Sequence, residues 1–262
     1  MTFLFIHWNP NPEIFNIEGF GIRWYGLLFA MGFLFGYIIM QKLFKREKIS
    51  QKTLDRLSVY MLIGTVVGAR LGHCFFYEPE YYLSHPFEIL NIRQGGLASH
   101  GAAIGILLSL LFFSRKEKIA FAWIVDRIVI VVALAGFFIR LGNLMNSEIY
   151  GAITHVPWAF IFDSVDQNPR HPSQIYESLT YLLLFVFLIW MYFKRNAGNK
   201  PYFLFGIFLI GCFGFRFFVE FIKDVQVEFE REMFLYMGQW LSIPFIIAGI
   251  YFVTRKQKKL DK

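Results

Sequence analysis

Seven stretches of this 262-residue chain run close to twenty residues each with few or no charges, the length that one helical crossing of a bilayer requires. They lie at about 21–41, 57–77, 97–113, 120–139, 173–193, 202–222 and 237–254. A soluble fold of this length needs long polar faces, and these segments have none. The expected fold is an all-α integral membrane protein of seven transmembrane helices, one polytopic domain over residues 1–262. Residues 142–172, between the fourth and fifth spans, form the longest connection and are polar enough for a small head on the membrane surface. No internal repeat points to a transporter built from two halves.

Composition agrees, with 56% hydrophobic residues, 20% aromatic residues and a mean hydropathy of +0.47, well above soluble domains. The net charge of +7 does not argue for nucleic acid, because the cations lie between apolar stretches and not on a groove-reading element. Cations placed this way record membrane orientation. The connections after spans one, three and five hold Lys42, Lys45, Arg46, Lys48, Lys52 and Arg56, then Arg115, Lys116 and Lys118, then Lys194, Arg195 and Lys200, and five more follow the last span. The opposite side holds only Arg93, Arg140, Arg170, Lys223 and Arg231. That bias puts the N-terminus outside, the C-terminus in the cytoplasm and the head outside.

The first 19 residues carry no Lys or Arg, so the basic region of a secretory signal is missing. This segment is expected to stay and lie on the membrane surface through Phe3, Phe5, Trp8 and Phe15. Cys74 and Cys212 both sit in apolar segments, which excludes a disulfide framework and a CxxC-type zinc site.

An ionisable group inside a transmembrane helix costs about 2.5 to 3.5 kcal/mol on insertion scales, so each needs a partner or a purpose. On the expected topology most of the buried polar and ionisable groups fall toward one leaflet: Tyr25, Arg70, His100, Arg140, Asn143, Asn146, Glu148, Glu177, Arg216, Glu220 and Gln239. Asp126 and Arg127 are the exceptions. Arg140, Asn143 and Asn146 recur at i, i+3 and i+6, one polar wall if the helix extends that far; a helix end with satisfied caps is the plainer reading of the two asparagines. Arg216 and Glu220, four apart, can pair on one helix face, either as structure alone or with the carboxylate steadying a guanidinium that grips phosphate. Gly95 and Gly96 precede His100, whose imidazole suits proton transfer or a simple interfacial hydrogen bond. No GxSxG elbow, HExxH helix or P-loop is present, which weakens hydrolase, metalloprotease and NTPase readings. Cations, carboxylates, an imidazole and amides facing lipid fit binding a phosphate ester and helping it leave. An anion transporter is the rival, but it needs polar residues through the inner half of the bundle, where few occur; a lipid-binding scaffold without catalysis is another.

In order along nearly the whole chain, the motifs resemble those of the bacterial phosphatidylglycerol:prolipoprotein diacylglyceryl transferases. They are Trp24-Tyr25-Gly26, Gly68-Ala69-Arg70, Gly95-Gly96 through Ser99-His100-Gly101, Asp126, Arg140 to Gly151, Arg170-His171-Pro172-Ser173-Gln174 with Glu177, Phe215-Arg216 with Val219-Glu220-Phe221, and Met237-Gly238-Gln239. Two departures are Gly101-Ala102-Ala103, where the family usually has two glycines after the histidine, and Cys212, where it commonly has a tyrosine.

The resemblance implies transfer of the diacylglyceryl group of phosphatidylglycerol to the lipobox cysteine of a prolipoprotein, at the outer leaflet of the bacterial inner membrane. It implies no metal and no cofactor. Arg140 and Arg216 would clamp the phosphate and neutralise the leaving group. His100 would help deprotonate the thiol, unless the arginine field alone lets water take the proton. Tyr25, Asn143, Asn146, Glu148, Gly151 and Glu220 would bind or orient the headgroup.

Overall fold

A computed structural model describes residues 5–17, 20–91, 95–224 and 233–256 of the chain. Phe3, Arg93 and Arg231, named above, lie outside the described residues. Among the described residues six helices are long and apolar enough to cross a membrane: α1 (Trp24–Arg46), α2 (Gln51–Phe76), α5 (Phe121–Met145), α6 (Ser173–Arg195), α7 (Phe203–Val219) with the 3-10 turn Glu220–Ile222 that follows it, and α8 (Met237–Thr254). A short helix, α3 (Pro79–Ser84), follows α2. The expected third span appears as α4 (Ser99–Glu117), which is not among the six. It opens on Ser99-His100 and closes on Arg115-Lys116-Glu117, leaving an apolar run of 102–113 that rises only about 18 Å against a hydrocarbon core of about 30 Å.

The chain divides into two compact units, one of Met1–Ile39 with Asp126–Leu260 and one built on Met40–Val125. In the second, α2 and α4 meet along glycines. A Cβ on Gly68 would lie 2.8 Å from the Gly105 Cα, and one on Gly72 would lie 2.6 Å from the Gly101 Cα. Small residues four apart let two backbones approach this closely, and a single methyl would force the helices apart. The entry to α2 is capped by Ser50, whose side chain accepts from the Thr53 backbone N–H; such caps contribute about 1 kcal/mol.

In the first unit α5 is the buried helix, with Ile130 and Ala133 fully enclosed. Phe35 of α1 stacks on its Phe138 at 5.7 Å, and Phe213 of α7 stacks on Phe245 of α8 at 4.3 Å. Asp126, fully buried on α5, accepts the backbone N–H of Phe205 at 2.8 Å. A carboxylate at a helix start satisfies orphan donors and suits the dipole, so this exception to the polar leaflet is a cap that α5 supplies to α7. Arg127 lies over the Tyr192 ring at 5.6 Å.

The same unit holds five short strands, which the all-α expectation missed. Strand β1 (Ile6–Trp8) runs parallel to β4 (Phe160–Phe162), and β4 is antiparallel to β5 (Pro169–Arg170); β2 (Glu13–Ile17) and β3 (Phe20–Arg23) form a separate pair. Leu144, Phe160 and Phe162 form the head's core, with Trp8, Tyr150 and Ile175 packed against it. Trp8 packs into this head: its indole donates to the Leu144 carbonyl at 2.9 Å and its ring meets Phe160. Phe15 remains exposed.

Candidate active site

The helix α5 continues to Met145, past the end expected for the fourth span, and so carries Arg140 and Asn143 on one face. Arg140 Nε is 2.7 Å from Glu177 Oε2 on α6, and its Nη1 donates to Asn143 Oδ1 at 3.1 Å. Asn143 Nδ2 donates in turn to Glu148 Oε1 at 2.7 Å, and Asn146 Nδ2 donates to the same oxygen at 3.4 Å. Four residues expected from spacing are thus joined in one network. The contacts run from one residue to the next, and only the Asn146 Oδ1 within these four residues is buried without a hydrogen-bond partner among the described residues.

A sharp reversal after α5 places Glu148. Ser147 and Ile149 both take left-handed backbone, φ 52° and 57°, strain that is held only when the surroundings over-determine it. Here they do. Gln174 Nε2 donates to the Glu148 carbonyl and Ser173 Oγ to the Ile149 carbonyl, both at 2.8 Å, and both side chains are fully buried at the start of α6. Tyr25 of α1 packs on the adjacent face: a Cβ on Gly142 would lie 2.8 Å from its ring. The phenol is within electrostatic reach of Glu148 and Arg140.

Gly151 sits where head strands converge. Its N–H donates to the His171 carbonyl at 2.9 Å, and a Cβ there would lie 2.6 Å from His171 Cβ and 2.7 Å from the Ile222 carbonyl. Glycine is required at this position by backbone packing. Beside it Arg170 pairs with Asp166 at 2.7 Å and with Asp224 at 2.8 Å. The hydrogen bond from Arg170 holds the Asp166 carboxyl down to about 2, and burial pushes the His171 imidazole below its ordinary value.

Arg216 and Glu220 do not pair. Glu220 ends α7 one turn on from Arg216, with its N–H donating to the Arg216 carbonyl, and a 3-10 turn over Glu220–Ile222 follows, but its side chain does not meet the guanidinium. Glu220 instead lies 4.0 Å from Lys223 Nζ and covers the first turn of α8, where a Cβ on Gly238 would be 2.5 Å from its carboxyl carbon. Arg216 is exposed and has no ion-pair or hydrogen-bond partner among the described residues. Both it and Arg140 are within electrostatic reach of Cys212, whose sulfur is 3.4 Å from the Tyr181 hydroxyl.

Spacing missed three members of this cluster: Glu177 as the partner of Arg140, Tyr181, and Lys223, whose Nζ is 2.7 Å from Glu177 Oε1. Glu177 and Lys223 were visible only as ionisable residues next to apolar helices, and nothing local pairs residues 140, 177 and 223. An open cleft of about 420 Å³ lies beside the network, lined by Asn11, Pro12, Glu13, Arg23, Asn146 and Glu148. The Asn146 Oδ1 is buried there without a hydrogen-bond donor among the described residues.

His100 belongs to the second unit. Exposed at the first turn of α4, its ring meets Phe76 edge-on at 5.3 Å and Tyr77 at 5.7 Å.

This arrangement offers two guanidiniums, hydrogen-bonding amides and carboxylates to an anionic ligand with hydroxyl groups. Residues 12–255 match the model of the family described as prolipoprotein diacylglyceryl transferase. A Bacteroides fragilis protein named phosphatidylglycerol--prolipoprotein diacylglyceryl transferase is 47% identical over 98% of this chain and 97% of its own length. Proteins of the same name from Chloroherpeton thalassium and Tolumonas auensis are 47% identical over 100% of this chain and 98% of their partner, and 46% identical over 97% and 98%. The chain belongs to the prolipoprotein diacylglyceryl transferase family.

Proposed function

We propose that this protein transfers the diacylglyceryl group of phosphatidylglycerol to the lipobox cysteine of prolipoproteins. The cysteine thiolate attacks the glyceryl carbon that bears the phosphate, forming the carbon–sulfur bond of a thioether. The carbon–oxygen bond breaks and its electron pair leaves with glycerol phosphate. The phosphoryl group passes from one negative charge to two, so cations that meet it more strongly as it leaves lower the barrier.

The observation that carries this reading is the contrast between the two arginines, both within electrostatic reach of Cys212. Arg140 is oriented by Glu177 and Asn143, while Arg216 has no partner among the described residues and is open to a phosphate. Pre-orientation of the first removes an ordering cost at the moment of reaction. Tyr25, Asn143, Asn146 and Glu148 bind the headgroup: the buried Asn146 Oδ1 accepts a glycerol hydroxyl, and Glu148, held by both asparagines, accepts another. Gly151 serves the site by letting the head backbone close behind Glu148, and Glu220 serves it through the start of α8. His100 takes the thiol proton; transfer to water under the arginine field is the alternative.

The reading extends to the membrane. We count α4, whose 19 residues rise about 28 Å with their polar ends at the headgroups, as a seventh crossing, take the N-terminus as outside from the cation bias, and so assign the site to the outer leaflet of the bacterial inner membrane. Prolipoproteins present their lipobox cysteine there, and the apolar wall of the helices admits lipid sideways. The test is purified protein in detergent with labelled phosphatidylglycerol and a lipobox peptide. A thioether-linked product is expected; its absence with intact protein contradicts the assignment.

A further inference from the structure

Lys223 was counted from sequence only as a loop cation, yet its side chain is 8% exposed. The 3-10 turn Glu220–Ile222 ends on extended backbone at Lys223, which bridges to Gly151 in the head and turns the ammonium back onto Glu177. Glu177 is itself 5% exposed and has one oxygen on Arg140 and the other on Lys223, each at 2.7 Å. We propose that Lys223 is a positioning residue of the phosphate site: it neutralises Glu177 so that Arg140, held by the same carboxylate, keeps a positive field for an anionic phosphodiester.

The argument is one of charge balance. Around Arg140 the cluster holds three cations, Arg140, Arg216 and Lys223, and three carboxylates, Glu148, Glu177 and Glu220. Two carboxylates, Glu177 and Glu220, are shared by Lys223. Were it absent, Arg140 alone would face Glu177, and the cluster would carry an excess negative charge where a lipid phosphate must enter. Buried charges interact strongly because little water screens them, and breaking one partner of a buried set leaves an uncompensated charge. Lys223 touches neither thiol nor phosphate in this scheme; it acts through Glu177. The inference rests on the proposed phosphatidylglycerol reading of the site.

The test measures both phosphatidylglycerol binding in micelles, with phosphatidylcholine as the zwitterionic control, and thioether formation. Lys223→Met is expected to weaken phosphatidylglycerol binding and raise its KM on the order of 10- to 100-fold, with phosphatidylcholine unaffected. Lys223→Arg keeps the charge and stays near wild type. The decisive variant is Glu177→Gln with Lys223→Met, which removes the anion together with its neutraliser; if Lys223 acts only through the Glu177 charge, adding Lys223→Met to Glu177→Gln is expected to change binding by less than about threefold, because double mutants of coupled partners are non-additive. Should Lys223→Met fail to accumulate, the comparison of Glu177→Gln with the double variant carries the test. The proposal is overturned if Lys223→Met binds phosphatidylglycerol like wild type, or if Lys223→Met weakens binding as much in the Glu177→Gln background as in the wild type. A wild-type protein that binds phosphatidylglycerol in a Lys223-dependent way but forms no thioether sinks the transferase reading and leaves this one standing; normal turnover in Lys223→Met does the reverse.

Discussion

Two arginines, each set in an apolar helix, meet different fates. Arg70 on α2 gives its guanidinium wholly to backbone: Nε donates to Ile89, Nη1 to Gly95 and Gly96, and Nη2 to Glu88 and Asn91, at 2.6 to 3.3 Å. Its plane also lies 4.9 Å from the centre of the Tyr82 ring. All five donors of a guanidinium are thereby used, and the loop they hold leads into His100. Arg140 on α5 is held instead by two side chains, Glu177 and Asn143. A guanidinium saturated by carbonyls is a scaffold. One steadied by a carboxylate and an amide is poised to exchange or share those contacts with an anion.

The comparison breaks most visibly at Arg140. Arg140→Ala is expected to lower the rate of thioether formation by about 100- to 1,000-fold or more, with the protein still inserted and intact; near-normal turnover would remove it from the site. Arg70→Ala should do the opposite in kind. Stranding the loop carbonyls is expected to cost about 3 kcal/mol or more, read as poor accumulation and rapid proteolysis near residues 85–98, with activity falling only in proportion to folded protein. A selective loss of kcat in well-folded Arg70→Ala would erase the distinction. Gly151→Ala sharpens it further, because the methyl meets His171 and Ile222: about 1 to 3 kcal/mol of destabilisation is expected, measured by thermal unfolding, with activity lost through the displaced head.

The smallest effect concerns acid. The Asp166 carboxyl titrates at about 2 in the folded head against an ordinary 3.8. A depressed carboxyl contributes stability that is present above the unfolded value and lost as pH falls through the folded one. The head is therefore expected to loosen between about pH 4 and pH 2, seen as Trp8 fluorescence. Asp166→Asn should abolish that step, and an unchanged acid transition in this variant contradicts the assignment.

Much of this was legible in the sequence because the bilayer makes it so. Apolar length located the helices, and an arginine, two asparagines and a glutamate within nine residues announced a polar wall, of which α5 carries Arg140 and Asn143 by running to Met145. What escaped depended on distant pairing. Strand β1 is three residues long and exists only because residues 160–162 lie beside it, so no period could reveal it or the packing of Trp8 in the head. The i, i+4 rule paired Arg216 with Glu220, and the backbone does set them one turn apart; the 3-10 turn that follows brings Lys223 to the Glu220 carboxylate instead. Glu177 and Lys223 lie 46 residues apart in sequence, beyond any local rule.

The central claim is that Arg140 and Arg216 grip one lipid phosphate. Its most direct test is the structure of the protein with phosphatidylglycerol bound. The account predicts phosphoryl oxygens within about 2.7 to 3.2 Å of both guanidiniums. A phosphate held by neither, or the two side chains engaged on separate lipids, would contradict it.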